Sequence, residues 1–212
     1  MNRTRYFTLA LIALLAPLAF GCESTKKKNE TSNTTTRSER NDPNSMHNKM
    51  NTTTPVKTAV AVIKPSKAAT TQPVNANVMG TVTLSQMGDS VKVAVTLTGL
   101  EPNSTHGIHI HEKGDMSDPG LASVGGHFNP QGHKHAGPDS PLAHAGDLGN
   151  ITADGNGNVN TEINVRGITL FDNTMGVIGR SVIIHAKADD LKTDPAGNSG
   201  LRVAGGVIEA SK

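Results

Sequence analysis

The chain has 212 residues, four phenylalanines, one tyrosine, no tryptophan and a single cysteine. One cysteine excludes an internal disulfide, and scarce aromatics leave the core to Val, Ile, Leu and Ala. The net charge of +2 does not mark a nucleic-acid binder: residues 1–56 hold 8 Lys+Arg against 4 Asp+Glu, whereas residues 57–212 hold 12 against 14 and are mildly acidic.

In chain order, residues 1–22 read as an export signal. Asn2-Arg3-Thr4-Arg5 is a basic start, and the apolar run Phe7 to Phe20 falls short of the ~20 residues that span a bilayer. Leu18-Ala19-Phe20-Gly21-Cys22 is similar to a bacterial lipobox, in which Cys22 is lipidated after cleavage. Leu18 lies one place further from the cysteine than that pattern asks and Phe20 is bulky, so ordinary secretion is the alternative. The expected location is an exported one, lipid-anchored to a bacterial membrane and facing the periplasm or the exterior. Residues 23–56 are Ser, Thr, Asn, Lys and Glu with almost nothing apolar. They cannot bury enough surface to offset their ordering entropy, so a flexible tether reaching on the order of 30 Å is expected. Lys26-Lys27-Lys28 reads as a solvated charge run beside the anchor, and His47 carries no role.

From Lys57 the apolar period becomes two. Val91, Val93, Val95 and Leu97 alternate with polar or small residues, as a half-buried strand requires. Similar runs are Thr58–Ile63, Val78–Leu84, Val159–Val165, Ser181–His185 and Val203–Ile208, punctuated by turns such as Asp154-Gly155-Asn156-Gly157. The expectation is an all-β domain over 57–212, an antiparallel Greek-key barrel or sandwich. Lys113 to Ala143 breaks the pattern with a long loop of Gly, Pro, His, Asp and Ser, and Lys187 to Leu201 is a second polar loop. Loops of the first kind are usually functional or disordered.

The chemistry concentrates on that loop and its flanks. His109 and His111 stand two apart in Gly-Ile-His-Ile-His, so a strand would turn both imidazoles to one face. His127, His135, His144, Asp147 and His185 follow. Six histidines and an aspartate exceed one tetrahedral site, so two ions are the economical reading. Imidazole suits copper, zinc, iron and nickel, and the absence of thiolates argues against iron–sulfur clusters.

The segments His106-Gly-Ile-His-Ile-His-Glu, Gly126-His-Phe-Asn-Pro, His144-Ala-Gly-Asp-Leu-Gly-Asn and Gly197-Asn-Ser-Gly-Leu-Arg resemble those of copper/zinc superoxide dismutases, and the resemblance runs from about Thr58 to Ile208. It implies an eight-stranded Greek-key barrel. It further implies copper on His109, His111, His127 and His185, with His127 bridging to a zinc held also by His135, His144 and Asp147. Asp189 matches the carboxylate that joins a copper histidine to a zinc histidine, and Arg202 the arginine that attracts the anionic substrate. The implied activity converts superoxide to dioxygen and hydrogen peroxide by alternate reduction and oxidation of copper, His127 taking up the proton. Arg202 and His127 are the expected catalytic residues.

Two departures stand out. The family's loop disulfide falls at Leu121 and Gly205, neither a cysteine here, and Leu121 is expected to pack over the space above Gly205. Pro195 stands where a steering lysine would be, with Lys192 the nearest substitute, so a weaker dependence on ionic strength is expected. His106 is read as a structural hydrogen-bonding residue, His133 as solvated and Lys187 as a surface charge. Asp115 and Ile178-Gly179-Arg180 suit either dimer contacts or turns, which leaves a homodimer open. The rival to an enzyme is a copper- or zinc-buffering module, which would have no need of Arg202. A zinc hydrolase is the weaker third reading, because four protein ligands would leave zinc no open position.

Overall fold

A computed structural model describes residues 57–68, 75–171 and 174–211. The leader, Cys22, Lys26 to Lys28, His47 and the rest of 23–56 lie outside these residues. Eight strands follow in order: β1 (Thr58–Pro65), β2 (Met79–Met87), β3 (Ser90–Thr98), β4 (Thr105–His111), β5 (Asp147–Thr152), β6 (Val159–Arg166), β7 (Ser181–His185) and β8 (Arg202–Ala210). They pair antiparallel in the order β5-β4-β7-β8-β1-β2-β3-β6, and the end strands β5 and β6 approach one another to give a nearly closed barrel.

Alternation drives this closure. Ala59, Ala61 and Ile63 of β1, Val82 and Leu84 of β2, and Val91, Val93, Val95 and Leu97 of β3 all point into one aliphatic core. Their neighbours along each strand face outward and are largely half-buried or exposed. The strands that carry histidines differ. In β4 and β7 every residue from His106 to His111 and from Ser181 to His185 is buried. Ile108, Ile110, Val182 and Ile184 fill the barrel, while the opposite face of these strands lies beneath the loop that follows β4. That loop contributes only one short 3-10 turn, Ala122–Val124.

Three expectations need correction. The alternation pattern missed β5, whose Asp147-Leu-Gly-Asn-Ile-Thr opens with a carboxylate and contains Gly and Asn, residues depleted in strands. Leu121 joins a small apolar cluster with Val124, Ile183 and Met116, and the side chains nearest Gly205 are Ile183 and Met116 rather than Leu121. A Cβ at Gly205 would meet Ile183 Cδ1 at 2.5 Å and Met116 Cε at 3.1 Å, so those two side chains occupy that space. His133 is half-buried rather than solvated, its Nδ1 lying 3.1 Å from the Ala143 carbonyl.

Candidate metal centre

Strand register assembles the site. On the outer face of the barrel wall, β4–β5 pairing sets His109 opposite Asp147, and β7–β8 pairing sets His185 opposite Arg202. An isolated bridge joins His111 to His127 from the loop. Both ladders slip at these points, between Gly107 and His109 and between Ile184 and His185. Such irregularities re-aim side chains, and they are common beside active sites. The loop is locked down by backbone bonds: Phe128 N–H donates to Ile110 O at 2.8 Å, Gly146 N–H to Phe128 O at 2.9 Å, and Ile110 N–H to Gly146 O at 2.9 Å. Only glycine fits at 146, because a Cβ there would press against the Ile110 carbonyl.

Two groups of donors result. His109, His111, His127 and His185 form the first, and His127, His135, His144 and Asp147 the second; within each, one ligand atom per residue lies within 4.8 Å of the others. All seven residues are buried. The rings of His109 and His127 have centroids only 3.9 Å apart, and His111 Nε2 faces His185 Nε2 at 3.3 Å.

The outward nitrogens are fixed by acceptors, which decides what the inward ones can do. His111 Nδ1–H donates to Gly125 O at 3.0 Å, and His185 Nδ1–H to Gly200 O at 3.2 Å, leaving Nε2 of each ring for the centre. Asp189 takes His109 Nε2–H at 2.9 Å on one oxygen and His135 Nε2–H at 2.8 Å on the other. The Nδ1 atoms of both rings are thereby turned to the two groups. Gly197 lets the chain pass close to this carboxylate, since a Cβ there would overlap Asp189 Oδ1. Asn150 Oδ1 accepts the Asp189 N–H at 2.8 Å and holds it in place.

The donor set fits metal. His109 Nδ1, His127 Nε2, His135 Nδ1 and His144 Nδ1 are buried without a hydrogen-bond partner. Leaving such atoms unsatisfied costs about 1–3 kcal/mol each unless a ligand uses the lone pair. The nitrogens of His135 and His144 do lie 3.1 and 3.2 Å from Asp147 Oδ1, but off the direction of a hydrogen bond. Several donors aimed at one point rather than at each other is the disposition of ligands around an ion. Protonation agrees. Burial, then the neighbouring His127, pushes His111 down to about 2, and burial above all pushes His185 down to about 4. Burial also holds His109 well below its ordinary value, with His127 and His185 adding to the effect. These three rings are therefore neutral, the form that ligates. At Asp147 burial opposes ionisation, but hydrogen bonds from His127 and the Ala136 N–H outweigh it and keep the carboxyl below its usual range.

Arg202 lies near His111 and His185 of the first group, where its charge opposes their protonation. Its guanidinium donates to Leu121 O and to Gly125 O, both backbone carbonyls, so its charge is not spent on a carboxylate there. It borders a shallow, open hollow lined by Gly125, Gly126, Gly200 and Leu201. A larger hollow lies between Val62, Met116 and Gly206, away from the histidines. His106, although buried, stays outside both groups: Nδ1 bonds the His185 carbonyl at 2.8 Å and Nε2 the Ser104 hydroxyl at 2.6 Å.

A family profile described as copper/zinc superoxide dismutase matches residues 78–208. The chain belongs to the copper/zinc superoxide dismutase family. A superoxide dismutase of Paramecium bursaria Chlorella virus 1 is 41% identical over 146 residues, covering 64% of this chain and 74% of that one. An extracellular superoxide dismutase of Drosophila melanogaster is 44% identical over 142 residues, covering 63% and 77%. A third, from Aquifex aeolicus, is 39% identical over 137 residues, covering 62% and 79%. Among solved structures, the crystal structure of the clock protein EA4 matches with a TM-score of 0.62 and 38% identity, over 72% of this chain and 93% of that one. Like its family, the chain is a superoxide dismutase, an oxidoreductase using copper and zinc.

The sequence reading omitted Gly125 and Gly200, whose carbonyls orient two copper/zinc dismutase histidines. Carbonyl acceptors leave no side-chain signature, although Gly125 flanks one quoted motif, Gly200 lies within another, and both have a φ of +79°.

Proposed function

We propose that His109, His111, His127 and His185 hold copper, that His127, His135, His144 and Asp147 hold zinc, and that Arg202 draws superoxide to the copper side. The shared ring of His127 carries this assignment. Its Nδ1 meets Asp147 Oδ1 at 2.7 Å within the second group, while its buried Nε2 is free toward the first. Three imidazoles and a carboxylate complete a closed tetrahedral zinc site, and an all-imidazole set suits a redox-active copper. Copper, when bound, supplies the one-electron couple that both half-reactions need. The remaining tasks fall to the chain. The Arg202 guanidinium attracts and orients the anion at the shallow opening. His127 Nε2, the ring atom not tied to Asp147, carries the proton needed for peroxide. Asp189 holds His109 and His135 in register through one rigid carboxylate.

Arg202→Ala tests the reading. Superoxide turnover falls by roughly tenfold or more, as expected for loss of an attracting charge at a small-anion site, with copper and zinc content unchanged. Unchanged turnover would remove Arg202 from the mechanism.

The same proposal extends to placement. Residues 1–22 direct export, Cys22 carries a lipid, and residues 23–56 tether the catalytic domain of residues 57–212. This is supported by the basic start, the short apolar run and the lipobox-like end, and one similar protein bears an extracellular name. Cys22→Ala then moves the protein from the membrane to the soluble fraction; retention on the membrane would exclude the anchor. Self-association near Asp115 and Ile178 is its outermost part, and a single monomeric species in sedimentation at high micromolar concentration would remove it.

A further inference from the structure

We infer that Arg180 is a positioning residue for the copper-side histidines, a strut joining the three chain segments that carry His111, His127 and His185. The inference rests on the ligand assignment proposed above. The Arg180 Cζ lies 3.6 Å from the centroid of the Phe128 ring, and Phe128 directly follows His127. Its NH1 donates to the carbonyl of Glu112 at 2.7 Å, and Glu112 directly follows His111. Arg180 itself directly precedes β7, the strand that ends in His185. Its Nε donates to Gly176 O at 2.8 Å, which fixes the stem of the side chain. One planar cation therefore touches the residue after each of two ligands and roots the strand of a third.

The chemistry of the position favours arginine. A guanidinium can lie flat on a ring while its edge donates to carbonyls, which an ammonium cannot reproduce. Burial lowers the pKa of Arg180, with the Glu112 charge opposing, so the group is partly desolvated where it stacks. Phe128 is a firm point of attachment: it is 3% exposed and its backbone is bonded on both sides, to Ile110 and to Gly146. These contacts give Arg180 a structural part within its own fold. No disulfide spans the loop, since the only cysteine is Cys22.

The test uses copper- and zinc-loaded protein carrying Arg180→Lys, with Val93→Ala as a control for general destabilisation. Val93 is buried in β3, which pairs only with β2 and β6, not with the histidine strands. In Arg180→Lys the Cu(II) hyperfine splitting shifts and copper passes to a chelator roughly tenfold faster, the range typical of lost support behind a ligand. Val93→Ala keeps the parent spectrum. Phe128→Leu, which leaves the arginine but removes its platform, shifts the copper signal in the same direction, and adding Arg180→Lys to it changes little more. A parent-like spectrum and release rate in Arg180→Lys, or changes no larger than those of Val93→Ala, would overturn the inference. Failure of the parent to consume superoxide would instead sink the catalytic assignment, and the copper spectra would still report on the strut.

Discussion

At the scale of single residues, the centre depends on acceptors behind the ligands as much as on the ligands. Asp189 is the sharpest case, because each of its oxygens serves a different histidine. Asp189→Asn keeps the shape but replaces one oxygen with a donor, so one of the two rings loses its acceptor. Affinity for at least one of the two metals should drop by roughly 10–100-fold, measured by chelator competition; unchanged affinity for both would show that the carboxylate is dispensable. The two donor groups were legible in the sequence because His109 and His111 share a strand face, His127, His144 and Asp147 lie in quoted motifs, and His135 and His185 follow in the same histidine-rich region. The carbonyls of Gly125, Gly200 and Glu112 were not, since a backbone oxygen acquires its role only from tertiary placement.

At the scale of elements, the apolar pattern yielded six strands because each has one face in a dry aliphatic core, and the spacing of His109 and His111 marked β4. β5 escaped because its first residue answers to the histidines rather than to the core. His109 and Asp147 are paired across β4 and β5, so function sets the composition of that edge. The loop after β4 is the counterpart case: it has no period of its own and is held by the cluster of Met116, Leu121, Val124 and Ile183. Ile183 is fully buried between barrel wall and loop, and Ile183→Ala should cost about 2–5 kcal/mol in urea unfolding of the metal-free domain. A loss below about 1 kcal/mol would mean that the cluster gives the loop little support. With Cys22 the only cysteine, melting should be the same with and without dithiothreitol, and a drop under reductant would contradict this account.

At the scale of the whole molecule, the barrel holds a set of neutral imidazoles that the unfolded chain would protonate. A free histidine titrates near 6.5, whereas folded His185 is held at about 4 by burial first. Between those values the unfolded state binds a proton that the native state refuses, so native stability is lost as pH falls. The metal-free domain should therefore melt progressively lower from pH 7 toward pH 4, His185 alone contributing on the order of 3 kcal/mol; a flat melting temperature over that range would contradict it. The antiparallel Greek-key barrel was readable from strand spacing, but the circular order that brings β5 next to β4 was not. Alternation along a strand says which face is dry, not which neighbour lies beside it.

The peptide oxygen of Gly125 accepts from His111 Nδ1 and from Arg202 at once. Gly125 has a φ of +79°, a conformation that strains any other residue, so this peptide is not easily rebuilt. Under the proposed assignment, capture of the incoming oxyanion and the electronic character of the electron-carrying ion would hang from one shared hook. Selection, or a protein engineer, cannot adjust either property at that hook without also moving the other.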